Sequence, residues 1–379
     1  MDIGRLAKLP IIDCHTHFGG PDLEAVNLLL EKEAASGCSQ VALLISSFPS
    51  RVNGNPEGLY AKTRHPQRVY LFGGLDYSAI LKDVSHRWTL SLARQVDRLA
   101  HIGCDGIKML NGKPNYRKAS GLALDSAVYD DYFARLARTG FPVLWHVNDP
   151  EEFWQPEQAP EWARSPGWLY DETFPSKESI HQECERVLER HPDLRIILAH
   201  FYFLSADLPR AAALLDRYPN VHFDLAPGIE MLHNFSKHPE QAREFFLKYQ
   251  DRLVFGTDFS PAGLPSRIWV VRNFLETDEV FHVPTDDHLF WPDHRTMIQG
   301  IALPEEALRK IYADNFRRLT SAQPRPLDPD LVAEELHRIA ALCDALGASP
   351  NPARGVAAQL FQEPGPGGES PDPYRHLVL

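Results

Sequence analysis

Residues 10–18 read PIIDCHTHF, an apolar run that closes on two histidines, His15 and His17, with one residue between them. Alternate side chains of a strand share a face, so the pattern puts Asp13, His15 and His17 together and Ile12, Cys14 and Thr16 opposite. Two imidazoles one strand repeat apart are spaced to hold a single ion. With 17 histidines in 379 residues, about one H-x-H is expected by chance, so its meaning rests on what surrounds it.

Seven more apolar runs follow: QVALLIS from Gln40, RVYLFGGL from Arg68, DGIKML from Asp105, FPVLWHV from Phe141, LRIILAH from Leu194, NVHFDLA from Asn220 and RLVFGTDF from Arg252. Helical patterns separate them. Tyr129, Tyr132, Phe133 and Leu136 form one apolar stripe, and Ser176, Ser179, Ile180 and Val187 mark the capped start of another helix. Strands alternating with helices predict an α/β fold, and eight such units within about 320 residues predict a (β/α)8 TIM barrel. No G-x-G-x-x-G or Walker sequence follows any strand, which removes the dinucleotide and P-loop readings.

The barrel is expected over residues 1–320. Residues 321–379 read as an extension: a Pro-rich joint, one helix across LVAEELHRIAALCDALG, and the Pro/Gly-rich tail EPGPGGESPDP. Net charge is −12 with scattered basic residues, which excludes a nucleic-acid footprint. The opening MDIGRLAKLPIID lacks a signal-peptide core and no apolar run has membrane-spanning length, so a cytoplasmic enzyme without membrane contact is expected. Five separated cysteines read as reduced thiols, Cys14 among them as a core residue.

Other polar residues share the position of the histidine pair. His146 ends FPVLWH, His200 ends RIILAH, Asp258 ends LVFGTD, and Lys108 takes the inward position in DGIKML. In a barrel these C-terminal strand ends converge, and one ion needs only three or four of them. Burying such a set without a metal would carry a large desolvation cost.

In that strand order the chain resembles the amidohydrolase superfamily. GTDFSP and IYADNFRRL resemble in particular the amidohydrolase-related branch that includes aminocarboxymuconate-semialdehyde decarboxylase. The resemblance spans about residues 10 to 320. It implies that His15, His17, His146 and Asp258 ligate a divalent metal, zinc or else manganese, and that Asp258 moves the proton of an activated water. His200 would ligate a second metal or position the water, and Lys108 would be the carbamylated bridge of a two-metal site or an unmodified amine. These residues imply a hydrolase of amides, esters or lactones, with Asp258, His200 and Lys108 in catalytic roles. The alternative is a single-metal decarboxylase or hydratase, a lyase acting on an aromatic or unsaturated carboxylic acid. One departure stands out: decarboxylase members carry a glycine-rich turn after the strand-six histidine, and here His200 runs into FYFL.

Two long connections are expected over the catalytic face. The segment after the fifth run carries Trp154, Trp162 and Trp168, and the stretch from Ser260 to Leu303 carries His282, His288, Trp291 and His294. Arg51, Trp154 and Arg267 are candidate substrate contacts, with Lys113 and Arg117 as further cations for a substrate carboxylate. His222 and Asp224 share a face of the seventh run as second-line partners or pocket lining. A small-molecule substrate is expected, and the extension leaves room for a homodimer.

Overall fold

The computed structural model describes residues 8–47, 53–81, 88–164, 167–284, 297–348 and 351–361. Each of the eight apolar runs forms a strand: β1 (Ile11–Thr16), β2 (Cys38–Leu44), β3 (Val69–Gly74), β4 (Gly106–Gly112), β5 (Val143–Val147), β6 (Ile196–Leu198), β7 (Val221–Asp224) and β8 (Leu253–Val254). They pair in sequence order, all parallel. Closure comes from β1 meeting the chain beyond β8: Cys14 N donates to Phe255 O, His17 N to Phe259 O, and Phe259 N to His15 O.

Residue parity divides the apolar core in two. Ile12, Ala42, Leu44, Tyr70, Phe72, Leu144, Ile197 and Val254 fill the inside of the barrel. Their neighbours in sequence, such as Val41, Leu43, Val143 and Ile196, face the surrounding helices. Phe316, from the helix Asn315–Leu319, plugs one end with its ring 5.1 Å from that of Tyr70. The end left for chemistry is the one where the strands finish.

Two expectations change here. Strict alternation along β1 breaks after Asp13: Ile12 and Cys14 share the inner cluster, as their spacing expects, but His15, of the other parity, also lies inside against Lys108, and the register against β2 slips between Asp13 and Thr16. A bulge of this kind re-aims side chains, and His15 reaches the inside although Cys14 already lies there. The extension holds two helices, Pro329–Ala345 and Pro352–Phe361, and not one. It packs on its own barrel, where Asp328 N donates to Ile102 O and Arg98 pairs with Glu335. The tail EPGPGGESPDP lies outside the described residues. All five cysteines are buried free thiols. Among the described residues no helix is long and apolar enough to cross a membrane.

Candidate metal centre

His15, His17 and Asp258 each bring one ligand atom to a common point, all within 4.8 Å of one another. Both histidines are anchored from behind. His15 Nδ1 lies 2.8 Å from Asp224 Oδ2, and His17 Nδ1 lies 3.0 Å from the Leu44 carbonyl oxygen. Each Nδ1 must therefore carry the proton, which leaves an Nε2 lone pair facing Asp258. The two Nε2 atoms stand 3.6 and 3.0 Å from Asp258 Oδ1. Three lone-pair atoms that converge with no proton between them repel one another, and a divalent cation resolves that arrangement. The donor set fits the metal that the sequence implies.

Burial enforces the neutral imidazole that ligation needs. It holds His15 well below the usual histidine range, and Lys108 adds to the effect. His15 is fully buried, whereas the His17 and Asp258 side chains are about 30% exposed, so the centre opens on that side. There a cavity of about 670 Å³ begins at His17 and is lined by Phe18, Leu44, Ile45, Gly54 and Pro261.

The other expected residues fall around this group. His200 follows β6 with its ring 4.8 Å from His15, and its Nδ1 faces the Ala226 carbonyl at 3.0 Å. Burial also lowers its pKa well below the ordinary value. Lys108 Nζ lies 3.4 Å from His15 Nε2, and burial brings the amine down to about 8 against the opposing pull of Asp224 and Asp258. His146 stands outside the three-residue group: its Nε2 lies 3.3 Å from Asp149 Oδ1 and its ring 4.7 Å from His200.

The candidate substrate contacts are dispersed. Arg267 donates to the Asp258 carbonyl oxygen at 2.7 Å, beside the three candidate ligands. Trp154 packs on Tyr170 in a small aromatic cluster with Phe153, Ala163 and Ile229, apart from the main core. Arg51, His288, Trp291 and His294 lie outside the described residues. His282 pairs with Met297 in a two-stranded ribbon. Lys113 and Arg117, read as carboxylate grips, are already committed: Lys113 to Asp149 at 2.6 Å and Arg117 to Glu183 at 2.9 and 3.0 Å.

Backbone strain marks the same strand ends. Asn148, His200 and Asp258 have φ of +75°, +57° and +56°, and left-handed backbone continues from His200 through Phe203. Glycine would make such a turn at little cost, whereas other residues cost about 1–2 kcal/mol each. Burial offsets this, since the Phe201 ring packs against Phe223, Phe235, Phe245 and Phe246. The missing glycines after His200 are thus replaced by aromatic residues held in place by the core.

Two acidic residues matter more than their sequence context suggests. Asp224 supports two of the three strand ends that carry site histidines, since Oδ2 meets His15 and Oδ1 accepts from His200 N at 2.7 Å. Glu230, after β7, is buried with neither carboxylate oxygen hydrogen-bonded among the described residues. Burial, helped by Glu152, pushes it up to about 7. Asp224 was open to a parity argument, but Glu230 carried no signal at all.

Comparison with known proteins agrees with this architecture. The amidohydrolase family model matches residues 88–322, a span that contains Lys108, His146, His200 and Asp258 but not the β1 histidines. No curated protein matches the chain. Among solved structures, an uncharacterised TIM-barrel protein from Bordetella bronchiseptica is similar at 16% identity, with 82% of this chain and 98% of that chain covered and a TM-score of 0.51. A 2,6-dihydroxybenzoate decarboxylase from Rhizobium is similar at 15% identity over 82% and 98%, with a TM-score of 0.51. A 5-carboxyvanillate decarboxylase from Novosphingobium aromaticivorans, complexed with manganese and 4-hydroxy-3-methoxy-5-nitrobenzoic acid, is similar at 14% identity over 82% and 96%, with a TM-score of 0.50. At these identities the likeness establishes the fold.

Proposed function

Because this chain belongs to the amidohydrolase family, we propose that it is a metal-dependent lyase that releases carbon dioxide from an aromatic or unsaturated carboxylic acid. This reverses the order of the two activities read from the sequence. The observation that carries it is Lys108, a buried amine 3.4 Å from His15 Nε2, beside the one three-residue ligand group found among the described residues. A cationic amine packed against a single-ion site suits a carboxylate substrate better than a neutral amide. The decarboxylases of the same fold from Rhizobium and Novosphingobium support the reading.

His15, His17 and Asp258 would hold zinc or manganese, and the ion supplies Lewis-acid polarisation of a substrate oxygen. Asp224 and the Leu44 carbonyl keep the two imidazoles in the ligating tautomer. Arg267, fixed at the Asp258 carbonyl oxygen, and Lys108 orient the carboxylate to be lost. When its C–C bond breaks, the electron pair stays on the substrate carbon, which then takes a proton. Asp258, kept as the anion by His17 and its neighbours and partly exposed at the cavity, is suited to relay that proton, accepting it from a water and passing it to the carbon.

The test is carbon dioxide release from a panel of hydroxybenzoates by zinc- and manganese-loaded protein, run beside amides, esters and lactones. Release should vanish on chelation, return with metal, and fall at least about 1,000-fold in Asp258→Asn. Turnover of amides or lactones with none of the carboxylic acids would overturn the proposal.

A further inference from the structure

The four site histidines are not held alike. His15, His17 and His200 are each anchored at Nδ1 and turn Nε2 inward. His146 is gripped at Nε2 by Asp149, and no described protein group bonds its Nδ1. A carboxylate at Nε2 selects the tautomer that carries its proton there and leaves the lone pair on Nδ1.

Asp149 is held more firmly than charge balance requires. Lys113 Nζ approaches both its oxygens, at 2.6 and 2.7 Å, which already neutralises it. The Tyr170 hydroxyl then donates to Oδ2 at 2.5 Å from the tryptophan-rich segment. Asp149 is therefore a fixed anion with donors on three sides.

The backbone is shaped to bring these groups together. A side chain at Gly112 would put a Cβ 2.6 Å from the His146 carbonyl oxygen, so glycine there lets β4 approach β5 and sets Lys113 beside Asp149. Asn148, at φ +75°, reverses the chain so that Asp149 comes back within reach of His146. Its side chain fixes the turn through a bond to the Lys177 carbonyl at 2.9 Å. Trp168, from the same segment as Tyr170, lies 4.5 Å from Lys113 Nζ in a cation–π contact.

We propose that Asp149 is a positioning residue that holds His146 with Nδ1 turned toward the metal ligands, and that Tyr170 makes this hold depend on the seating of the tryptophan-rich segment. The consequence for catalysis rests on the function proposed above; the geometry does not. If the pair only neutralised Lys113, removing Tyr170 would leave His146 unchanged.

The test uses full-length zinc-loaded protein with 15N-labelled histidine at pH 8, read by long-range 1H–15N correlation, with His146 assigned by loss of its signals in His146→Asn. Wild-type His146 should carry its proton on Nε2 and none on Nδ1. In the double variant Lys113→Met/Asp149→Leu, which removes the ion pair without leaving an unpaired charge, His146 should become a tautomer mixture. Zinc affinity, by competition with a chelator, should then fall about 10- to 100-fold. Tyr170→Phe should move both readouts in the same direction, with affinity down about 3- to 10-fold, while the His15 signals stay fixed in every variant. A proton on Nδ1 in the wild type, or unchanged readouts in both variants, would overturn the proposal. Change in the double variant with none in Tyr170→Phe would remove the part played by the loop. Failure of every hydroxybenzoate, with these shifts observed, would sink the proposed reaction and leave this inference standing.

Discussion

The candidate metal centre has two sides built on different principles. On the β1 and β8 side, His15 and His17 are clamped by groups on other strands of the barrel itself, Asp224 of β7 and the Leu44 carbonyl of β2. On the β5 side, His146 is held by Asp149, whose own partners, Lys113 and Tyr170, come from connecting segments. The first side is as rigid as the sheet. The second depends on an ion pair and on irregular chain, so the two should respond differently to the same kind of damage.

The largest contrast is in stability. Lys113→Met leaves the buried Asp149 carboxylate without its counter-ion, which should cost about 3–5 kcal/mol in urea unfolding. Lys177→Met, which removes a pair with the exposed Glu151 at 3.5 Å, should cost less than about 1 kcal/mol. Equal losses would mean that Asp149 finds other donors and that the β5 side is no more fragile than the surface.

A pH series sharpens the contrast. Glu230 feels the charge of Glu152 and, more weakly, of Asp149, and burial raises it from 4.5 to about 7. Because the folded state prefers the protonated form, its stabilisation is complete below pH 4.5 and is lost as pH rises through about 7. The difference is on the order of 3 kcal/mol. Glu230→Gln should flatten that part of the stability profile between pH 5 and 8. A slope unchanged by the substitution would show that the carboxyl is solvated or paired.

How far each side could be read from sequence follows from how it is built. Eight strands were legible because each is a short apolar run, and His15, His17 and Asp258 were legible because strand ends in a barrel converge. The bulge that turns His15 inward beside Cys14 leaves no trace in composition, since simple alternation also predicts an inward histidine for a different reason. Asp149 and Tyr170 are 21 residues apart across a segment without periodicity, and nothing local announces their contact. The left-handed turn from His200 to Phe203 was hidden because it uses aromatic residues where glycine is the usual signal. The helix Pro352–Phe361 sits amid proline-rich chain that reads as tail.

The smallest predicted effect isolates the clamp on the rigid side. Asp224→Asn keeps a carbonyl oxygen for the backbone amides of His200 and Ala226, now 2.7 and 3.1 Å from Oδ1, so the fold should persist. The amide nitrogen would then face His15 Nδ1 in place of Oδ2. Two donors cannot share that contact, so His15 must move its proton to Nε2 and withdraw the lone pair aimed at the metal ligands. Zinc affinity should fall about 10- to 100-fold, measured by chelator competition, with the urea midpoint nearly unchanged. Lys113→Met should do the reverse on the β5 side, with a large loss of stability for a lesser change in affinity. If Asp224→Asn instead unfolded the protein as readily, Asp224 would be a scaffold residue, and the distinction between a sheet-held and a loop-held half of the site would collapse.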